Sequence, residues 1–108
     1  MPFAAATPQK LGKYLGYAAT NANQTAIAAA LTAIEAMTNT AYSNAAIVTI
    51  ELHLTNLDTI ATAILAQAQL EASTILPELR REYRRHCALV AIATGLDIFA
   101  DTTGATQS

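Results

Sequence analysis

The residues of this chain best suited by type and spacing to a chemical role are Arg80, Arg81, Arg84 and Arg85, its only arginines, packed into six positions. On a helix, Arg80 with Arg84 and Arg81 with Arg85 are like charges one turn apart, an arrangement that a purely structural helix avoids. Glu78 with Arg81 and Glu82 with Arg85, at i and i+3, offset part of that repulsion and leave Arg80 and Arg84 without a local partner. Three roles fit the cluster: a solvated face making subunit-to-subunit ion pairs with Glu51, Asp58 or Glu71, docking to an acidic protein, or contact with nucleic acid phosphates. Against the last stand a formal net charge of -2 and the lack of interleaved aromatic residues, Tyr83 falling on the opposite helix face.

The remaining reactive side chains do not assemble into a catalytic pattern. His86 and Cys87 are adjacent, but neighbours on a helix point about 100° apart, so Cys87 is expected to be a buried structural thiol. His53 lies near an apolar stripe and has no second ligand at helical spacing, so no metal site is expected. Glu35, Glu51, Asp58 and Glu71 are scattered singly, without a pair placed for acid-base work. No glycine-rich phosphate loop occurs, and Tyr14, Tyr17, Tyr42 and Tyr83 are read as packing residues with a wet hydroxyl. The expectation is a protein that is not an enzyme and carries no cofactor.

The elements that position these residues follow from the apolar spacing. From Asn44 to Leu76 the chain runs 33 residues without Gly or Pro. Ile47, Ile50, Leu54, Leu57, Ala61, Ile64, Ala68, Ala72 and Ile75 fall along it in a 3-4 rhythm. This predicts one amphipathic helix over 44–76, roughly 50 Å long, whose stripe exceeds what the rest of the chain can cover and so calls for partners. Val48 to Thr55 also alternates with period two and begins with three β-branched residues, a strand pattern. The continuing helical register favours the helix, and a lone strand lacks a partner.

Residues 1–20 carry Pro2, Pro8, Gly12 and Gly16 and read as a flexible arm that Tyr14, Leu15 and Tyr17 could dock. A first helix is expected over 21–40, with Ile27, Leu31 and Ile34 facing inward, and Ser43 or Asn44 capping the long helix. A third helix, 77–95, starts at Pro77 with Glu78 at its positive end and stops at Gly95. On it Leu79, Tyr83, His86, Cys87 and Val90 share a face opposite the arginines. The segment Cys87 to Ala93, including Leu89 and Ile92, is apolar on every side and is expected to be buried all round. Leu96, Ile98 and Phe99 should then pack back, and 101–108 is a polar tail without a core signal.

Composition agrees with a surface turned toward protein. Of 108 residues 25 are Ala, 15 are Thr and only 13% are charged, a sparsely charged exterior for a free monomer. The chain is long enough for a single core. One cysteine excludes an intrachain disulfide, and the N-terminus lacks the basic and apolar regions of a secretory signal. Thr20, Asn21, Asn23, Gln24, Thr25 and Thr32 interrupt the uncharged stretch from Tyr14 to Ile34, so a membrane span is not expected. The expected location is cytoplasm or virion.

The reading is an all-α protein, a small helical bundle with one long central amphipathic helix, an N-terminal arm and a C-terminal tail. In this layout of arm Pro2 to Gly16, long helix Asn44 to Leu76, Arg-bearing helix Pro77 to Thr94 and polar tail after Phe99, the chain resembles the small all-helical head-to-tail adaptor and neck proteins of tailed phages. That resemblance implies a non-enzymatic subunit of a symmetric ring, bound to copies of itself and to other structural proteins. The residues expected to make those contacts are Arg80, Arg81, Arg84 and Arg85 together with Ile47, Ile50, Leu54, Leu57, Ile64, Leu89 and Ile92. The competing reading is a small dimeric helical module that uses Arg80 to Arg85 against an acidic protein or nucleic acid. Assembly size separates the two.

Overall fold

Glycine and proline punctuate the first twenty residues, yet they bound a helix instead of loosening an arm. In the computed structural model, which describes residues 2–70 and 73–103, Thr7–Leu15 forms α1. Pro8 sits in its first turn, where the missing N–H costs nothing, and Gly16 ends it at φ 82° with its N–H donated to the Gly12 carbonyl. Leu11, Tyr14 and Leu15 lie on one face and are at most 1% exposed, so the expected arm is corrected to a helix whose apolar face is part of the core.

The second helix, α2 (Asn21–Glu35), starts where Thr20 accepts the Asn23 N–H at 3.2 Å, and it buries Ile27, Leu31 and Ile34 as their spacing predicts. It stops short of residue 40 because the polar Thr38-Asn39-Thr40 segment belongs to the next turn. Asn39 caps α3 (Thr40–Ala68) by accepting the Tyr42 N–H at 2.9 Å. Ser43, expected as that cap, instead donates its hydroxyl to the Ile34 carbonyl at 2.7 Å and satisfies the open end of α2.

The 29 residues of α3 span roughly 44 Å. Val48 to Thr55 is helical throughout, and the strand alternative is set aside by packing. Ile50 and Leu54 enter the core, while Val48 and Leu52 remain more than half exposed on the other side. The helix ends at Ala68, not Leu76, because the chain turns there to lay α4 (Leu76–Thr94) back along α3. Ser73 ties the turn by donating to Gln67 Oε1 at 2.7 Å. Pro77 and Glu78 occupy the first turn of α4, and Gly95 at φ 75° closes it. Ile75 is half exposed, and Ala72 and Glu71 lie outside the described residues.

The core is one cluster drawn from all four helices, with α3 at its centre and α4 as its most extensive neighbour. The segment after Gly95 crosses the end of α1 as a strap. The last carbonyls of α1 have no partner within their own helix, and the strap supplies donors. Phe99 and Ala100 N–H both bond to Leu15 O (2.8 and 3.2 Å), and Thr102 Oγ1 donates to Tyr14 O at 2.9 Å. Residues 101–103, read as the start of a free tail, are therefore pinned, with Thr103 1% exposed. Of the three residues expected to pack back, Leu96 lies against the core and Phe99 lays its ring on Tyr17 with centroids 5.6 Å apart, though Phe99 and Ile98 remain exposed; 104–108 lie outside the described residues. Among the described residues the elements are all helices, and no helix is long and apolar enough to cross a membrane.

Candidate functional site

The apolar stripe expected to seek partners is already covered. Ile47, Ile50, Leu54, Leu57 and Ile64 are each at most 1% exposed, enclosed by α1, α2 and α4. α4, folded back along α3, supplies most of the cover, and α2 and α1 close the rest, so the stripe is met within one subunit. Leu89 is half-buried and Ile92 is 79% exposed, so the all-apolar segment of α4 is not enclosed all round as expected.

The arginines divide. Arg85 grips Glu82 one turn back at 2.8 Å, as the i, i+3 spacing suggests, and Arg84 Nε reaches Asp101 of the strap at 3.0 Å. Arg81 is exposed. Arg80 is half-buried, with its Nε shielded from solvent and without a hydrogen-bond partner among the described residues. Asp101 is held down at about 2 by the Thr103 hydroxyl and N–H, and then by Arg84. Glu51 and Asp58, considered as ion-pair partners for the cluster, are engaged within the subunit. Thr7 donates its hydroxyl to Glu51, Tyr14 donates to Asp58, and Lys10 pairs with Asp58 at 2.7 Å. Burial alone would raise the Asp58 carboxyl, but the hydrogen bonds from Lys10 and Tyr14 outweigh it and hold it below the usual range.

His86 and Cys87 do not act on each other. The Cys87 sulfur lies 3.5 Å from the Tyr14 carbonyl, and burial pushes its thiol up to about 12, which leaves essentially no thiolate at neutral pH. His86 instead meets His53 across the α3–α4 seam, Nδ1 to Nδ1 at 2.9 Å. A search for ligands along one helix misses this pair because its members are 33 residues apart. Among the described residues no group of three or more His, Cys, Asp or Glu side chains converges on a metal position.

A second stripe runs down the outside of α3. Ala41, Ala45, Val48, Leu52, Thr55, Thr59, Thr62 and Ala66 are all exposed and follow strict 4-3 spacing, two residues behind the buried stripe and so on nearly the opposite face. Thr55, Thr59 and Thr62 turn their hydroxyls back to the carbonyls of Glu51, Thr55 and Asp58 (3.0, 3.3 and 3.0 Å), which leaves their methyl groups toward solvent. The face is therefore more apolar than its threonine content suggests, and it carries no charge. Comparison with known proteins gives no match: no family model, no curated protein and no solved structure matches the chain.

Proposed function

We propose that this chain is a non-enzymatic structural subunit that assembles with copies of itself through the outer face of α3. The observation that carries the reading is the uncharged 4-3 stripe from Ala41 to Ala66. A strict 3.5-residue repeat is the spacing of a seam between two helices, and exposed faces of free proteins normally mix in charged residues. A second copy fits this face because the stripe offers no charge to select a different partner. A two-fold pairing sets the small residues of one α3 against Val48 and Leu52 of the other. The long helix followed by an Arg-bearing helix, the part of the layout shared with tailed-phage adaptor and neck subunits that α3 and α4 keep, favours a closed ring as the larger assembly. Exposed Ile92, Ile98 and Phe99 offer the second patch that ring closure needs.

The alternative, a dimeric module docking through Arg80 to Arg85, draws support from exposed Arg81 and from the Arg80 Nε, which has no partner among the described residues. It is weakened by the pairing of Arg84 and Arg85 within the subunit. Mass by light scattering over a concentration series tests both. The wild type should be oligomeric at tens of micromolar, and Leu52→Asp should be a folded monomer with unchanged helical signal. Replacement of all four arginines by Gln should leave the mass unchanged. A monomeric wild type, or an oligomer that survives Leu52→Asp, overturns the α3 interface. Steeply salt-dependent binding of random-sequence DNA or RNA that the Gln variant lacks would favour the Arg-face reading.

A further inference from the structure

His53 and His86 are the only histidines of the chain, and the fold brings them ring to ring in the seam between its two longest helices. The ring centroids are 5.1 Å apart, His86 is buried and His53 half-buried. An Nδ1-to-Nδ1 contact of 2.9 Å is a hydrogen bond only if one nitrogen carries a proton and the other offers its lone pair. A neutral pair meets that condition, and so does a pair holding one extra proton. A doubly protonated pair does not, since it has two N–H groups facing each other and two like charges. We propose that the His53–His86 contact is an acid-sensitive latch, holding α4 on α3 at neutral pH and releasing it when both rings protonate.

The surrounding charges give little relief. Glu82, one turn before His86, approaches its Nε2 at 3.8 Å but is engaged by Arg85. Arg85 and His53 act on His86 in the opposite sense. Burial first, then Arg85 and His53, hold His86 below the usual histidine value of 6.5, against the smaller pull of Glu82. On α3 the polar neighbours of His53 one turn away are Thr49 and Asn56, which are uncharged, and Leu57 completes the turn. The sign follows from the protons bound. The 2.9 Å Nδ1–Nδ1 contact has room for one N–H, a limit the unfolded chain does not have, so stability is full above the usual histidine range and falls as pH drops through it.

The unfolding equilibrium constant should rise about tenfold for each pH unit between about 6.5 and 5, above the range where carboxylates titrate. Denaturant melts at pH 7.5, 6.5, 5.5 and 5.0 measure this. His53→Gln should remove most of the slope, because an amide beside His86 can donate to its neutral Nδ1 or accept from its protonated one. NMR titration of the wild-type rings needs no variant and should show two separated macroscopic steps, the second displaced below 6.5. Two independent titrations near 6.5, or a slope that persists in His53→Gln, would overturn the latch. So would a rise in melting temperature on adding zinc ion that a chelator reverses, since it would reassign the pair as metal ligands.

Discussion

Gly16 lies directly under the backbone of Ala100. A Cβ placed on Gly16 would stand 2.7 Å from the Ala100 carbonyl oxygen and 2.8 Å from its nitrogen, at a φ of +82° that disfavours any side chain. Gly95 has a similar φ of +75° but, among the described residues, nothing within 4 Å of the corresponding Cβ, so the two glycines separate backbone strain from contact with the strap. Gly95→Ala should cost about 1 kcal/mol, the penalty of a left-handed alanine. Gly16→Ala should cost about 2–3 kcal/mol, because the strap must also lift from the Leu15 and Tyr14 carbonyls it satisfies. Denaturant midpoints of the two variants decide it, and equal losses would mean that the strap contributes nothing to stability.

Leu57 and Thr59 sit two residues apart on opposite faces of α3, one fully buried and one exposed. Leu57→Asp puts a carboxylate into the core without a partner and should destabilise by about 4 kcal/mol or more, enough to abolish the cooperative melt of a small domain. Thr59→Asp should change monomer stability by less than about 1 kcal/mol. Its charge falls in the outer stripe, however, so it should lower the oligomer mass. Circular dichroism melts paired with light scattering read both effects. A Thr59→Asp protein with undiminished mass would count against the α3 interface.

The inner face of α3 was legible in the sequence because large aliphatic residues mark it, and Ile47 through Ile64 keep one register. The outer face was not, since Ala and Thr carry little hydropathy and the threonines become apolar only once their hydroxyls bond to the helix. Residues 1–20 look like an arm in the sequence because Pro2, Pro8, Gly12 and Gly16 count as breakers by composition. In place, Pro8 and Gly16 are the start and stop signals of α1. The strap was invisible for a related reason. Asp101 reaches Arg84 of α4 and Thr102 reaches the Tyr14 carbonyl of α1, partners 17 and 88 residues away in sequence, and the Thr102 bond has value only because that carbonyl is left open at the end of α1. The histidine pair is likewise a product of the α3–α4 register, which spacing along one helix does not disclose.

Asp101 links the strap to α4 through Arg84, and it is held at about 2 by Thr103 and Arg84 against a usual value of 3.8. A carboxyl depressed in the folded state stabilises the fold above its unfolded value, and that contribution is lost as pH falls from about 3.8 toward 2. Both side chains of the pair are 57% exposed, so solvent screening reduces the gain to less than about 1 kcal/mol. Asp101→Asn should therefore lose less than about 1 kcal/mol at pH 7 and show a shallower decline of melting temperature between pH 4 and 2 than the wild type. Asp58, also held below the usual range, keeps the decline from vanishing. An unchanged acid limb in Asp101→Asn would show that the strap is anchored by its backbone and hydroxyl bonds without help from the Arg84 pair.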